Sequence, residues 1–219
     1  SVYYGRDLHV ELSNLTFPLY FIDFETFNPA LPAYTGTRPY LQVPFQWSTH
    51  ILASNGNLDH HEFLAEGAED PRRQFADTLI NVLGDSGSIL VYSSFEKSRL
   101  NEIAKIFPDL QDAIEAITER FVDLLALLRR DFYHPDFKGS FSIKNVLPAL
   151  VPDLRYDGLG IKEGATAAAS FEKSLQTDCA GAEKKRIRED LLAYCKQDTL
   201  AMVEIYKVLL DLDRFPLSA

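Results

Sequence analysis

The sequence predicts an α/β fold, a mixed β-sheet flanked by α-helices. Three observations carry that prediction. Residues 19–25, Leu-Tyr-Phe-Ile-Asp-Phe-Glu, form a short aromatic and β-branched run of the kind found in a central strand buried on both faces. Two more strand-like runs, 45–52 and 60–64, flank Ser54-Asn55-Gly56-Asn57, and Asn-Gly between such runs signals a hairpin. After residue 71 the pattern turns mostly helical, with one further apolar run at 89–92.

The elements follow in chain order. The strand at 19–25 leads into a loop over 28–43 that is rich in Pro, Gly and Tyr. The hairpin comes next, then an amphipathic helix over 71–83 with Pro71 in its first turn. Residues 84–87 turn the chain into the strand at 89–92. A helix over 94–107 is stopped by Pro108. Further helices are expected over 110–119, 122–131 and 143–150, and a long one over 181–211. Phe121-Val122-Asp123 is a candidate fifth strand. With no repeat, low-complexity stretch or linker, 1–219 reads as one domain.

Composition narrows the function classes. The 219 residues are 46% apolar and include 15 Phe and 10 Tyr, which supports a real core and excludes a disordered chain. No apolar run approaches the ~20 residues that cross a bilayer. Lys and Arg total 22 against 32 Asp and Glu, a net charge of −10, so this is no nucleic-acid binder recognisable by charge alone. A polyanionic partner would have to be held by local basic patches or by bound cations. Cys179 and Cys195 are too few for a disulfide framework and read as buried thiols in a reducing compartment. Residues 1–5 show neither the basic start nor the apolar stretch of a secretory leader, so the expected location is the cytoplasm.

Three groups of residues look chemical. Asp23 and Glu25 lie two apart on an apolar strand and therefore point from the same face. Burying both is costly unless cations or donors compensate; otherwise Glu25 lies past the strand end in solvent and Asp23 caps the next loop. Tyr194 and Asp198 are four apart on the long helix and share a face bordered by Leu191, Leu192 and Cys195. The bland alternative has Tyr194 against the core and Asp198 at the solvent edge. Glu96 begins the helix after the strand at 89–92. Either it closes a capping box with Ser93, or it points into a site beyond the carboxyl ends of the strands.

Taken in order, these elements resemble the DEDD exonucleases: strand Asp-x-Glu, a strand–helix junction with Phe-acid-x-x-x-Leu, and a late helical Tyr-x-x-x-Asp. The resemblance spans roughly 19–210 and implies a ribonuclease H-like fold. It assigns Asp23, Glu25, Glu96 and Asp198 as ligands of two Mg²⁺ or Mn²⁺ ions, and Tyr194 as the mark of the Tyr-type branch, orienting or deprotonating a water. The family usually carries Asp where this chain has Glu96, and Glu also ligates Mg²⁺ or Mn²⁺. The implied activity is metal-dependent 3′–5′ exonucleolytic hydrolysis of phosphodiesters at single-stranded DNA or RNA ends. Closer still, 21–46, Ser142-Ile143-Lys144 and 194–202 are similar to an uncharacterised bacterial family whose members commonly follow a Cas4/RecB-like nuclease domain. The chain starts with Ser1 rather than Met, and on that likeness it is expected to be the C-terminal part of a longer protein.

Two rival readings stay open. One is a catalytically weak nucleic-acid-binding or scaffold domain of the same fold; the other is a metal-dependent phosphatase. Lesser candidates are Asp123, as a supporting acid or a helix cap, and Lys144, as a phosphate contact or a solvated lysine. Residues 183–190 read as a solvated helix face that is also the densest basic cluster. Arg38, in the loop after the first acidic pair, could contact a strand end. His50, His60, His61 and His134 lack zinc spacing. No phosphate-cradling Gly-rich motif and no Gly-x-Ser-x-Gly is present.

Overall fold

The computed structural model describes residues 2–211. A five-stranded sheet forms its centre, built from β2 (Leu19–Phe27), β3 (Val43–Leu52), β4 (Leu58–Leu64), β5 (Ser88–Val91) and β6 (Phe121–Asp123), with a short β1 (Tyr3–Tyr4) preceding them. The strand order is β4-β3-β2-β5-β6. The first three strands form an antiparallel meander, while β5 and β6 run parallel to β2. This is the predicted mixed sheet flanked by helices, and it is compatible with a ribonuclease H-like arrangement.

The two faces of β2 explain the layers. Tyr20, Ile22 and Phe24 point one way, into a core with α2 (Arg72–Leu83), α3 (Phe95–Ile106) and α4 (Gln111–Glu119) through Phe75, Leu79, Leu100, Ile103, Ile114 and Ile117. Leu19 and Phe21 point the other way, toward α8 (Gly181–Leu210), where the Phe21 ring meets Tyr206 edge-on at 5.6 Å. The same face continues to Asp23 and Glu25, so period-2 alternation delivers both carboxylates to α8. Between Glu25 and Thr26 the pairing with β3 slips by one residue. That bulge bends the end of the strand, a common device beside functional sites.

The boundaries differ from expectation in instructive ways. Phe121–Asp123 is indeed a strand, so the helix expected over 122–131 begins only at Leu124, as α5 (Leu124–Asp131). Pro71 precedes α2 rather than sitting inside its first turn. α6 (Ile143–Leu150) and α8 lie where the pattern put them. Three features had no expectation: α1 (Arg6–Ser13), α7 (Gly164–Ser174), and the pairing of β1 with β7 (Phe132–Tyr133). Cys195 is buried as expected, but Cys179 is partly exposed because it follows α7 in a surface turn.

A third core closes the open end of the sheet. Phe171 of α7 stacks on Phe45 of β3 at 3.9 Å between ring centres and meets Phe27 of β2 edge-on at 5.1 Å. Ile187 and Leu191 of α8 complete it. Aromatic burial of this kind is what holds α7, a helix of mostly small residues, against β2. Phe171→Ala is expected to destabilise the protein by about 3–5 kcal/mol, the usual range for emptying an aromatic site. Urea unfolding followed by tryptophan fluorescence checks this, and a loss below about 1 kcal/mol would show that α7 is held some other way.

Candidate metal centre

The carboxylates of Asp23, Glu25 and Asp198 converge. One oxygen from each lies within 4.8 Å of the others. Asp23 and Glu25 come from β2, and Asp198 comes from α8, 173 positions beyond Glu25. α8 is oriented by Leu191, Cys195, Met202 and Tyr206 packing inward, so its polar positions on that side face the strand. Glu25 and Asp198 are each only 7% exposed, which disposes of the solvent-edge readings for both.

Glu96 lines the same cavity, of about 230 Å³, together with Tyr92, Ser93, Phe95, Ile143, Lys144, Tyr194 and Met202. It is 3% exposed, and its Oε2 meets no hydrogen-bond partner among the described residues. The capping box does not form. Ser93 Oγ instead accepts from the Phe95 amide at 3.1 Å, and no side chain caps the helix start. Glu96 is thus turned into the site, although the tight three-residue convergence does not include it.

Electrostatics follow from this crowding. Asp23 is held well above the usual carboxylate range, chiefly by burial and then by the charges of Asp198, Glu25 and Glu96. Burial and Asp198 push Glu25 up to about 8, with Lys144 opposing. Glu96 rises for the same reason, burial, with Asp123 adding to it. Burial also raises Asp198, to about 6, with Tyr156, Lys144 and Tyr194 opposing it. The Cys195 thiol lies 3.6 Å from Asp23 Oδ2 and is itself pushed far up by burial and the neighbouring acids.

Two tyrosines and a lysine frame the acids. Tyr156 donates its hydroxyl to Asp198 Oδ1 at 2.5 Å. Tyr194, predicted from its spacing to Asp198, is buried against the cluster, and burial plus Asp198 keep its phenol strongly protonated. Lys144 Nζ lies 5.5 Å from the centre of the Tyr194 ring and 5.9 Å from that of Tyr156, and it donates to the Lys162 carbonyl. The start of α7 also reaches the site: a Cβ on Gly164 would lie 3.6 Å from Glu25 Oε2. Tyr156 and α7 were not anticipated. Tyr156 sits in an aperiodic stretch, where no spacing ties it to Asp198.

The remaining candidates separate cleanly. Asp123 accepts from the Ala126 amide at 3.0 Å and caps α5, the bland reading, while its charge still bears on Glu96. Within 183–190, Glu183 pairs with Lys173, Lys185 with Glu189 and Arg188 with Glu66, as befits a solvated helix face. His50 and His60 join no acidic cluster. They bracket a buried chain in which Thr199 Oγ1 contacts His50 Nδ1 at 2.8 Å and Ser48 Oγ at 3.0 Å, and Ser48 contacts His60 at 2.9 Å. This chain pins α8 to β3 one residue beyond Asp198.

The donor set suits a hard cation. Three carboxylates within reach of one another, plus an orphaned buried Glu96 oxygen, supply oxygen ligands and uncompensated negative charge, which is what Mg²⁺ or Mn²⁺ requires. A carboxylate whose pKa is raised by folding binds more protons folded than unfolded, so metal-free stability falls as pH rises toward the raised value. Burial also lowers His50 and His60 from 6.5 to about 4, and that acts in the opposite direction below 6.5. The clean window is therefore pH 6.5 to about 8. In chelator the melting temperature should fall across it, and manganese should restore stability at its upper end. Scanning calorimetry checks this; a flat metal-free profile there would mean that the acids do not strain the fold.

Comparison with known proteins adds one finding. No curated protein and no solved structure matches the chain. Residues 20–142 match the family model described as a domain of unknown function, DUF2779. The matched span takes in Asp23, Glu25 and Glu96, and ends before Tyr156, Tyr194 and Asp198. Covering more than half of the 219 residues, that match makes the chain a member of the DUF2779 family.

Proposed function

We propose that this domain is a metal-dependent 3′–5′ exonuclease acting on single-stranded DNA or RNA ends, of the Tyr-type DEDD class. The observation that carries the reading is the meeting of Asp23, Glu25 and Asp198 at one point. Nothing in ordinary packing rewards such an arrangement, because three buried acids repel and each costs several kcal/mol to desolvate. A binding role for cations accounts for it.

Asp23, Glu25 and Asp198 would hold the ions, with Glu96 supplying a further oxygen from across the cavity. Bound there, a pair of Mg²⁺ or Mn²⁺ ions would neutralise the acids, polarise a phosphodiester and make an attacking water more acidic. The protein's own groups do the positioning. Tyr194, buried beside Asp198, would orient the attacking water or help to deprotonate it. Tyr156 fixes one oxygen of Asp198, and Tyr194 also hydrogen-bonds that carboxylate. Lys144 supplies the positive charge nearest the acids and opposes both Glu25 and Asp198. Its place over two aromatic rings holds it at the cavity wall rather than in bulk water.

The scaffold reading drew its support from Glu96, and the orientation of that side chain into the cavity favours catalysis instead. A fused Cas4/RecB-like nuclease domain would supply strands with free ends to this site. Asp23→Ala should reduce manganese-dependent release of nucleotides from a 5′-labelled single strand to the level of a chelated control. Its metal-free melting temperature should match or exceed that of the wild type, since one repelling charge is gone. Denaturing gels with each end blocked in turn test activity and polarity together. Undiminished cleavage by the Asp23→Ala protein would refute the assignment.

A further inference from the structure

A second cavity, of about 280 Å³, opens between the loop after β2 and helices α2 and α3. Arg38, Arg72, Arg99 and Lys105 contribute four cationic side chains to its lining, against a single acid, Glu102. In a chain of net charge −10 this is a marked local inversion of sign.

Two of these arginines are committed but not saturated. Arg72 is 2% exposed, clamped by Asp70 and donating to the Thr35 carbonyl, yet its Nη1 meets no acceptor among the described residues. Arg99 donates to Gln42 at 2.5 Å and to Glu102 at 3.0 Å, and its Nε is likewise buried without a partner. Arg38 and Lys105 are exposed and form no ion pair among the described residues, so their charge is available to a ligand.

The cavity is coupled to the metal centre through α3. Phe95 and Glu96 line the acidic site, and Arg99, one turn further on, lines the basic one. The Arg99 guanidinium lies over the Phe95 ring, 5.2 Å from its centre, so a single aromatic side chain separates the two.

We propose that this pocket binds a backbone phosphodiester of the strand whose end enters the acidic cluster, an inference that rests on the nuclease reading. The planar guanidiniums of Arg38 and Arg99 match the tetrahedral oxygens of a phosphate, and Lys105 adds a further positive charge at the rim. The arrangement solves the charge problem of an acidic protein that handles a polyanion: attraction is placed beside the reactive centre rather than spread over the surface.

The test uses the whole chain, a short fluorescein-labelled single-stranded oligonucleotide, and anisotropy in chelator, so that ions at the acidic site contribute nothing. Arg72 is left intact because its clamp to Asp70 is structural. The Arg38→Ala/Lys105→Ala protein, altered only at exposed positions, should fold normally by circular dichroism. It should bind the oligonucleotide at least ten-fold more weakly, with a plot of log affinity against log salt shallower by about 0.7 for each lost contact. Equal binding by the two proteins, or no binding by the wild type at low salt, would overturn the pocket. Inorganic phosphate binding the wild type as tightly as the oligonucleotide would overturn the assignment to a strand. Absence of manganese-dependent cleavage is a separate measurement, and it would remove the nuclease reading while leaving the anisotropy comparison intact.

Discussion

The structure turns on a repulsion held in place by packing. Asp23, Glu25 and Asp198 meet because α8 is fastened to β2 and β3 on both sides of Asp198. Toward the C-terminus the fastening is the buried contact of Met202 and Tyr206 with the Phe21 side of the sheet. At Asp198 itself it is the Ser48–Thr199–His50 chain. Toward the N-terminus it is Leu191, whose carbonyl accepts from Gln46 Nε2 at 2.9 Å. Apolar burial at about 25 cal/mol per Å² over so many side chains outweighs what three acids can exert, so the helix cannot retreat to relieve them. The acids respond instead by holding protons, which is why their pKa values rise together.

This division of labour explains the surroundings of the cluster. Groups that touch Asp198 are neutral donors or a displaced cation: Tyr156, Tyr194 and Lys144. None is an arginine in bidentate contact, which would neutralise the acid permanently and compete with any ion. The strong guanidinium pairs are kept elsewhere. Arg72 is clamped to Asp70 and Arg99 to Glu102, across Phe95 from the acids. The acidic centre is left under-compensated, which is the electrostatic condition under which a cation could be held there.

What could be read beforehand follows the range over which each signal acts. Asp23 with Glu25, and Tyr194 with Asp198, were legible because strand and helix periods fix which neighbours share a face. The sheet was legible for the same reason, down to the short Phe121–Asp123 strand. Glu96 was undecidable locally, since Ser93-x-x-Glu96 satisfies a capping rule that the tertiary structure does not use. Tyr156 was invisible: it lies between α6 and α7 in a stretch without periodicity, and only the fold brings it to Asp198. α7 escaped because Gly164-Ala-Thr-Ala-Ala-Ala carries no large apolar stripe, and Phe171 is the one large side chain it packs into the core beside Ala167. Arg38 stood out as a loop cation, but its neighbours Arg72 and Arg99 come from two helices, and the partnerless N–H groups exist only once both are folded.

The mean charge of this chain therefore says little about what it can hold. At −10 overall it resembles a protein that would repel nucleic acid, yet the charge is not evenly mixed. Acidic residues concentrate where β2 meets α8, and a basic pocket lies one helical turn along α3. The local field, and not the total, decides which sign of charge each of these two places would favour. In this fold α3 contributes to both, with Glu96 lining one cavity and Arg99 the other on either side of Phe95, while β2 and α8 supply the remaining acids and the loop after β2 and α2 the remaining cations.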